Sequence, residues 1–109
     1  MNLLVLTVAS KETSAFKRFR RSAEINGLPL KVLGMGQEWI GLGDAKVAQL
    51  GHELEKYKND SEKIILFADA YDVLFTGPAE VLLEKFRKFN TRILFSAEKN
   101  CYPKELAVK

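Results

Sequence analysis

Cysteine, histidine and long apolar runs are almost missing from this chain. Cys101 stands alone, so no intrachain disulfide can form; in a longer secreted protein its partner would lie outside these residues. His52 is also the single histidine, so no His/Cys set is spaced as a zinc site, and no serine has a visible triad partner. No apolar run reaches the ~20 residues that cross a bilayer. The stretch Leu3-Leu4-Val5-Leu6-Thr7-Val8-Ala9 has the apolar character of a signal peptide, but no basic segment precedes it and a helical pattern follows at once. It reads as a buried strand. An excess of one sign of charge is missing too, with 17 Lys and Arg against 14 Asp and Glu. A formal net charge of +3 favours anionic ligands slightly and is no nucleic-acid signature. Internal repeats and low-complexity stretches are absent.

What is present is a globular composition, 47% hydrophobic and 28% charged over 109 residues, enough for one domain with a modest core. Residues 3–8 form a short aliphatic strand. Ser14 is placed to cap a helix running to about Asn26, with Phe16, Phe19 and Ala23 on one face; the cations Lys17, Arg18, Arg20 and Arg21 fall on its solvated side. Gly27 is the natural stop, with Pro29 just beyond. Residues 30–33 are a second strand. Asp44 suits the cap of a second helix, with Val47, Leu50, Leu54 and Tyr57 at helical spacing. Residues 63–68 are a third strand. Pro78 suits the first turn of a third helix, with Leu82, Phe86 and Phe89 facing inward. Residues 91–96 read as a fourth strand. This alternation predicts an α/β unit with a largely parallel sheet and helices on both faces.

Such sheets bind ligands outside the carboxyl ends of their strands. Three segments are predicted to meet there: Val8-Ala9-Ser10, the glycine-bearing loop 34–43, and Asp69-Ala70-Tyr71-Asp72. The last follows the apolar run Ile64-Ile65-Leu66-Phe67, so two carboxylates sit where a buried strand breaks the surface. Carboxylates near apolar surroundings favour a cation or a proton beside them. Asp69 and Asp72 are the metal candidates: hard oxygens that suit Mn2+ or Mg2+, whose remaining ligands come from water and phosphate. The alternative is that one aspartate caps a turn and the other is simply solvated.

Trp39 lies in the glycine-bearing loop, where it either stacks on a nucleobase or folds back as a plug against the core; Tyr71 also offers a ring. Gly34, Gly36, Gly41 and Gly43 do not form GxGxxG and follow the second strand, which argues against a Rossmann dehydrogenase. Lys46 opens the second helix within reach of a phosphate, or is merely solvated. His52 sits among charged neighbours and reads as solvated.

Taken in order, Leu3 to Ser10, Val32-Leu33-Gly34-Met35-Gly36-Gln37-Glu38-Trp39, Phe67-Ala68-Asp69-Ala70-Tyr71-Asp72-Val73-Leu74-Phe75 and Leu94-Phe95-Ser96-Ala97-Glu98 resemble the glycosyltransferase domain of procollagen lysyl hydroxylases. The resemblance implies a GT-A-like, Rossmann-type three-layer sandwich, incomplete here. It also implies a metal-dependent transfer of sugar from UDP-galactose or UDP-glucose to hydroxylysine or galactosylhydroxylysine of collagen. By position, Asp69 and Asp72 would hold manganese, and Asp69, Ala70 and Tyr71 would contact UDP. Val8, Ala9 and Ser10 would lie along the uridine, Trp39 would join the nucleotide pocket, and Lys46 would lie near the diphosphate. Ser10 stands where the family has threonine, and the loop after Trp39 is several residues shorter. The resemblance covers only the nucleotide-binding front half of that domain, residues 1–109, and implies a fragment or a shortened gene product. No catalytic base is identified.

The same resemblance implies the endoplasmic reticulum lumen if these residues belong to a longer secretory protein; without a signal peptide of its own, the chain also fits a cytoplasmic location. An uncovered apolar edge favours self-association. Two rival readings remain. Phosphoryl-transfer enzymes also place two aspartates after a strand, but at an interval of two with a following threonine, neither of which this sequence has. A UDP-binding or assembly module that keeps the fold without turnover is the other.

Overall fold

The computed structural model describes residues 2–37 and 47–96. Among these residues, strand β1 (Asn2–Val8) is central in a three-stranded parallel sheet, flanked by β2 (Leu30–Leu33) and β3 (Lys63–Phe67) in the order β2-β1-β3. Val5 is level with Leu30 on one side and Leu66 on the other, and Leu6 with Lys31 and Phe67. Being central explains why β1 is buried from Val5 to Val8, whereas every residue of the two edge strands is only half-buried.

Alternation along the strands sorts the two faces. Leu3, Val5, Leu30, Ile64 and Leu66 point to one side, where α1 (Ser14–Ile25) brings Ala23 and α3 (Ala79–Lys88) brings Leu82 and Leu83. The opposite side carries Lys31 against α2 (Ala48–Leu54), which continues as a 3-10 turn over Glu55–Tyr57. Helices therefore lie on both faces of the sheet, giving an α/β sandwich of three layers.

The helix ends are chemically well marked. Thr13, rather than Ser14, caps α1: its hydroxyl accepts the Phe16 N–H at 3.1 Å. At the other end Gly27 takes φ +66, its N–H reaches the Glu24 carbonyl at 3.1 Å, and the Leu28 N–H reaches Ala23 at 2.9 Å. This is a Schellman ending, and it puts Leu28 into the core beside Ala23. Pro78 precedes α3 as its cap residue, and Asn90 at φ +48 turns the chain away after it.

Four expectations need correction. Residues 91–96 form no strand, and Ile93, Leu94 and Phe95 are exposed, Phe95 by 86%. Strand composition makes a strand only beside a partner edge, and these residues pair with neither β2 nor β3, the outer strands of the described sheet. Phe89 is exposed because α3 ends there and the chain turns off. Along α2, Val47 and Leu54 are exposed and Glu53 is buried instead, because Lys31 offers its carboxylate a charged partner on the sheet. The third strand ends at Phe67, one residue early, where the chain leaves the sheet toward Asp69. Asp44, proposed to cap the second helix, lies outside the described residues.

Candidate functional site

At the carboxyl ends of the strands the chain leaves β1 through Ala9 and Ser10, β2 through residues 34–37, and β3 through residues 68–72. The three exits are bonded to one another. The Ala9 N–H donates to the Leu33 carbonyl at 3.0 Å, and the Ala68 N–H donates to Leu6 at 3.1 Å, so the sheet's hydrogen bonding extends past the strands. Gly36 N–H then donates to the Ser10 carbonyl at 3.0 Å, tying the second exit to the first. Gly34 and Gly36 at φ +78 and +84 make that return possible, since side chains with a Cβ rarely adopt such backbone.

Thr7 is the one polar residue pointing into the otherwise apolar run of β1, and it is fully buried. Its hydroxyl donates to the Ala68 carbonyl at 2.6 Å, one residue before Asp69. The far end of the carboxylate loop is pinned as firmly. Phe75 packs on Phe19 with ring centroids 5.3 Å apart. Its N–H donates to Ser22 Oγ at 3.0 Å, and its carbonyl accepts from Asn26 Nδ2 at 3.0 Å. The loop that carries the carboxylates is thus held at its two ends, at residue 68 and again at residue 75.

Between those anchors Ala70 is buried against Phe16, Phe19 and Ala9. Turning Ala70 inward directs its neighbours outward: Asp69, Tyr71 and Asp72 are all exposed. Tyr71 is not a loose ring. It meets Phe16 edge-on at 6.5 Å, and its hydroxyl accepts the N–H groups of Ser10 at 3.1 Å and Lys11 at 3.3 Å. On the β2 side, Gln49 of α2 lies against Gly34 and donates to Gln37 Oε1 at 3.0 Å.

Asp69 and Asp72 therefore lie on one short, braced loop beside the exits of the other two strands. Among the described residues, no group of three or more His, Cys, Asp or Glu side chains could hold a metal by itself. Two hard carboxylates fit a magnesium- or manganese-type cation that keeps waters and takes its other ligands from a phosphate-bearing ligand. The structure brings Val8, Ala9, Ser10, Asp69, Ala70, Tyr71 and Asp72 together; Trp39 and Lys46 lie outside the described residues. Sequence reasoning missed the bracing residues Thr7, Ser22, Asn26 and Gln49. Only Thr7 carried a signal, as a hydroxyl inside an aliphatic strand.

The whole of residues 1–109 matches the protein family described as "PLOD GT domain". The chain is 45% identical over 108 residues to procollagen-lysine,2-oxoglutarate 5-dioxygenase 1 of Homo sapiens, an alignment covering 94% of this chain and 15% of that protein. It is 44% identical over 108 residues to the multifunctional procollagen lysine hydroxylase and glycosyltransferase LH3 of Homo sapiens, covering 93% of this chain and 15% of the relative. The Gallus gallus procollagen-lysine,2-oxoglutarate 5-dioxygenase 1 is 44% identical over 110 residues, with 94% and 15% covered. The chain thus spans about 15% of the length of these relatives. A sequence that carries this family's pattern throughout, on a parallel α/β sheet whose three exits are bonded together, is a glycosyltransferase-like domain and belongs to the PLOD GT domain family.

Proposed function

We propose that the chain is the nucleotide-binding front half of a metal-dependent glycosyltransferase that takes a UDP-sugar. The observation that carries this reading is the braced carboxylate loop, with Asp69 and Asp72 exposed beside the bonded exits of β1 and β2. In this reading Asp69 and Asp72 hold Mn2+ or Mg2+, which when bound would offset charge on the diphosphate as a Lewis acid. Val8, Ala9 and Ser10 line the uridine, with Ala70 keeping the wall close and dry, and Tyr71 and Trp39 border the base. Lys46 reaches toward the diphosphate. The donor is UDP-galactose or UDP-glucose, and the acceptor is a collagen-type hydroxylysine. That acceptor would put the chain in the endoplasmic reticulum lumen.

Calorimetric titration of UDP with and without manganese tests this. Asp69→Asn and Asp72→Asn should each weaken manganese-dependent UDP binding by about tenfold or more, the effect of removing one charged contact. Both side chains are exposed, so stability should change by no more than about 0.5 kcal/mol. Metal-dependent binding that survives unchanged in both variants would remove the assignment. A second reading, a UDP-binding module without turnover, is favoured by one observation: among the described residues the site offers no third metal ligand. Manganese-dependent UDP binding without transfer to a hydroxylysine peptide would select it.

A further inference from the structure

One atom joins the loop after β1 to the loop after β3. Tyr71 Oη accepts from the amides of Ser10 and Lys11 and donates to the Lys11 carbonyl at 3.3 Å, across 60 residues of sequence. Its ring is held by Phe16, which is fully buried, so the hydroxyl is carried on a side chain that α1 fixes in place. Tyr71 sits between Asp69 and Asp72 in sequence, and Ser10 in turn accepts from Gly36. A shift of the carboxylate loop is therefore passed through the phenol to Ser10 and Lys11, and on to the β2 exit. A solvated pair of aspartates would need no such tie.

We infer that Tyr71, through its hydroxyl, is a positioning residue that couples the cation site to the nucleotide site. The inference rests on the proposed function and adds a mechanism to it. A cation that settles the 69–72 loop also settles the Ser10 and Lys11 amides, so it strengthens nucleoside diphosphate binding through the protein as well as by direct charge. Coupling of this kind is reciprocal: the nucleotide must strengthen cation binding by the same factor. Both amides are at the surface, so without the phenol they turn to water and the fold persists; the fixed spacing between the loops is what is lost.

The test compares wild type with Tyr71→Phe by two independent measurements. Amide hydrogen exchange, with no ligand present, should show Ser10 and Lys11 protected in wild type despite their exposed setting. Tyr71→Phe should lose that protection while leaving the β1 amides unchanged. Calorimetry with UDP, in the presence and absence of manganese, should show the manganese-induced gain in affinity reduced about fivefold or more in Tyr71→Phe, the lower end of ordinary coupling between sites. The gain in manganese affinity caused by UDP should fall by the same factor. Ser10 and Lys11 amides that exchange like open loop in wild type, or an undiminished manganese gain in Tyr71→Phe, would overturn the coupling. Wild type that binds no UDP in manganese, with the two amides protected as expected, would instead overturn the functional reading and leave the tie between the loops standing.

Discussion

Glu53 offers the sharpest test of how α2 is held to the sheet. It is only 3% exposed, yet it is a carboxylate on a helix face where leucine was expected. Lys31 Nζ, from β2, lies 2.6 Å from one oxygen, and Lys56 Nζ lies 2.9 Å from the other. The Tyr57 hydroxyl adds a third donor at 3.0 Å. These contacts, Lys31 first and Lys56 next, lower the Glu53 carboxyl from 4.5 to about 2 against the opposing effect of burial. A displacement of that size corresponds to a ceiling of roughly 3 kcal/mol. The side chains of Lys31 and Lys56 are 43% and 54% exposed, so solvent screens the pair and about 1–2 kcal/mol is the realistic contribution. The sign follows from the direction. A carboxyl whose folded pKa is depressed stabilises the fold above its unfolded value, and that stability is lost as pH falls from about 4.5 toward 2.

Glu53→Gln keeps the shape and removes the charge. Urea unfolding at pH 7 should show the variant less stable by about 1–2 kcal/mol, a midpoint shift of roughly 0.5–1 M. Repeating the comparison at decreasing pH should narrow the gap below about pH 4.5, with the two proteins converging only as pH approaches 2 and wild-type Glu53 is protonated in the folded state. A gap of constant size between pH 7 and pH 3 would mean that the difference arises from packing rather than from the ion pairs. A variant equal to wild type at pH 7 would mean that burial cancels the attraction.

Two glycines and the tryptophan supply further tests. A Cβ on Gly34 would stand 2.9 Å from Gln49 Oε1 at a φ of +78, whereas one on Gly27 would meet open space at φ +66. Gly27→Ala should therefore cost the backbone term of about 1–2 kcal/mol, and Gly34→Ala about the same, because the Gln49 amide ends a flexible side chain and can swing aside, while also weakening UDP binding; a loss in urea unfolding well above that of Gly27→Ala would mean that Gln49 is held in place. Trp39 is the single tryptophan, so UDP should change the intrinsic fluorescence, and Trp39→Ala should weaken binding by about 1–3 kcal/mol. An emission spectrum unmoved by saturating UDP would return the indole to a structural role.

Local pattern decided much of this protein. Aliphatic runs at 3–8, 30–33 and 63–67 become strands because each is short, apolar and closed by turn residues. Phe16, Phe19 and Ala23 become the buried face of α1 because helical spacing aligns them, and Gly27 ends that helix because it adopts φ +66 without strain. From strand–helix alternation follows a parallel sheet, and from a parallel sheet follows the gathering of loops 8–10, 34–37 and 69–72 at one edge. That much of the site was legible. The sequence alone could not decide the properties that depend on who the neighbours are. Residues 91–96 have strand composition, but a strand exists only where a partner edge lies alongside, and in the described sheet they pair with none. Leu54 and Glu53 differ by one position on α2; which of them turns inward was decided by Lys31, a residue on another element. Tyr71 offered a ring in the sequence and a hydrogen-bonded bridge in the fold, because the partners of its hydroxyl are backbone amides that only tertiary structure brings within reach.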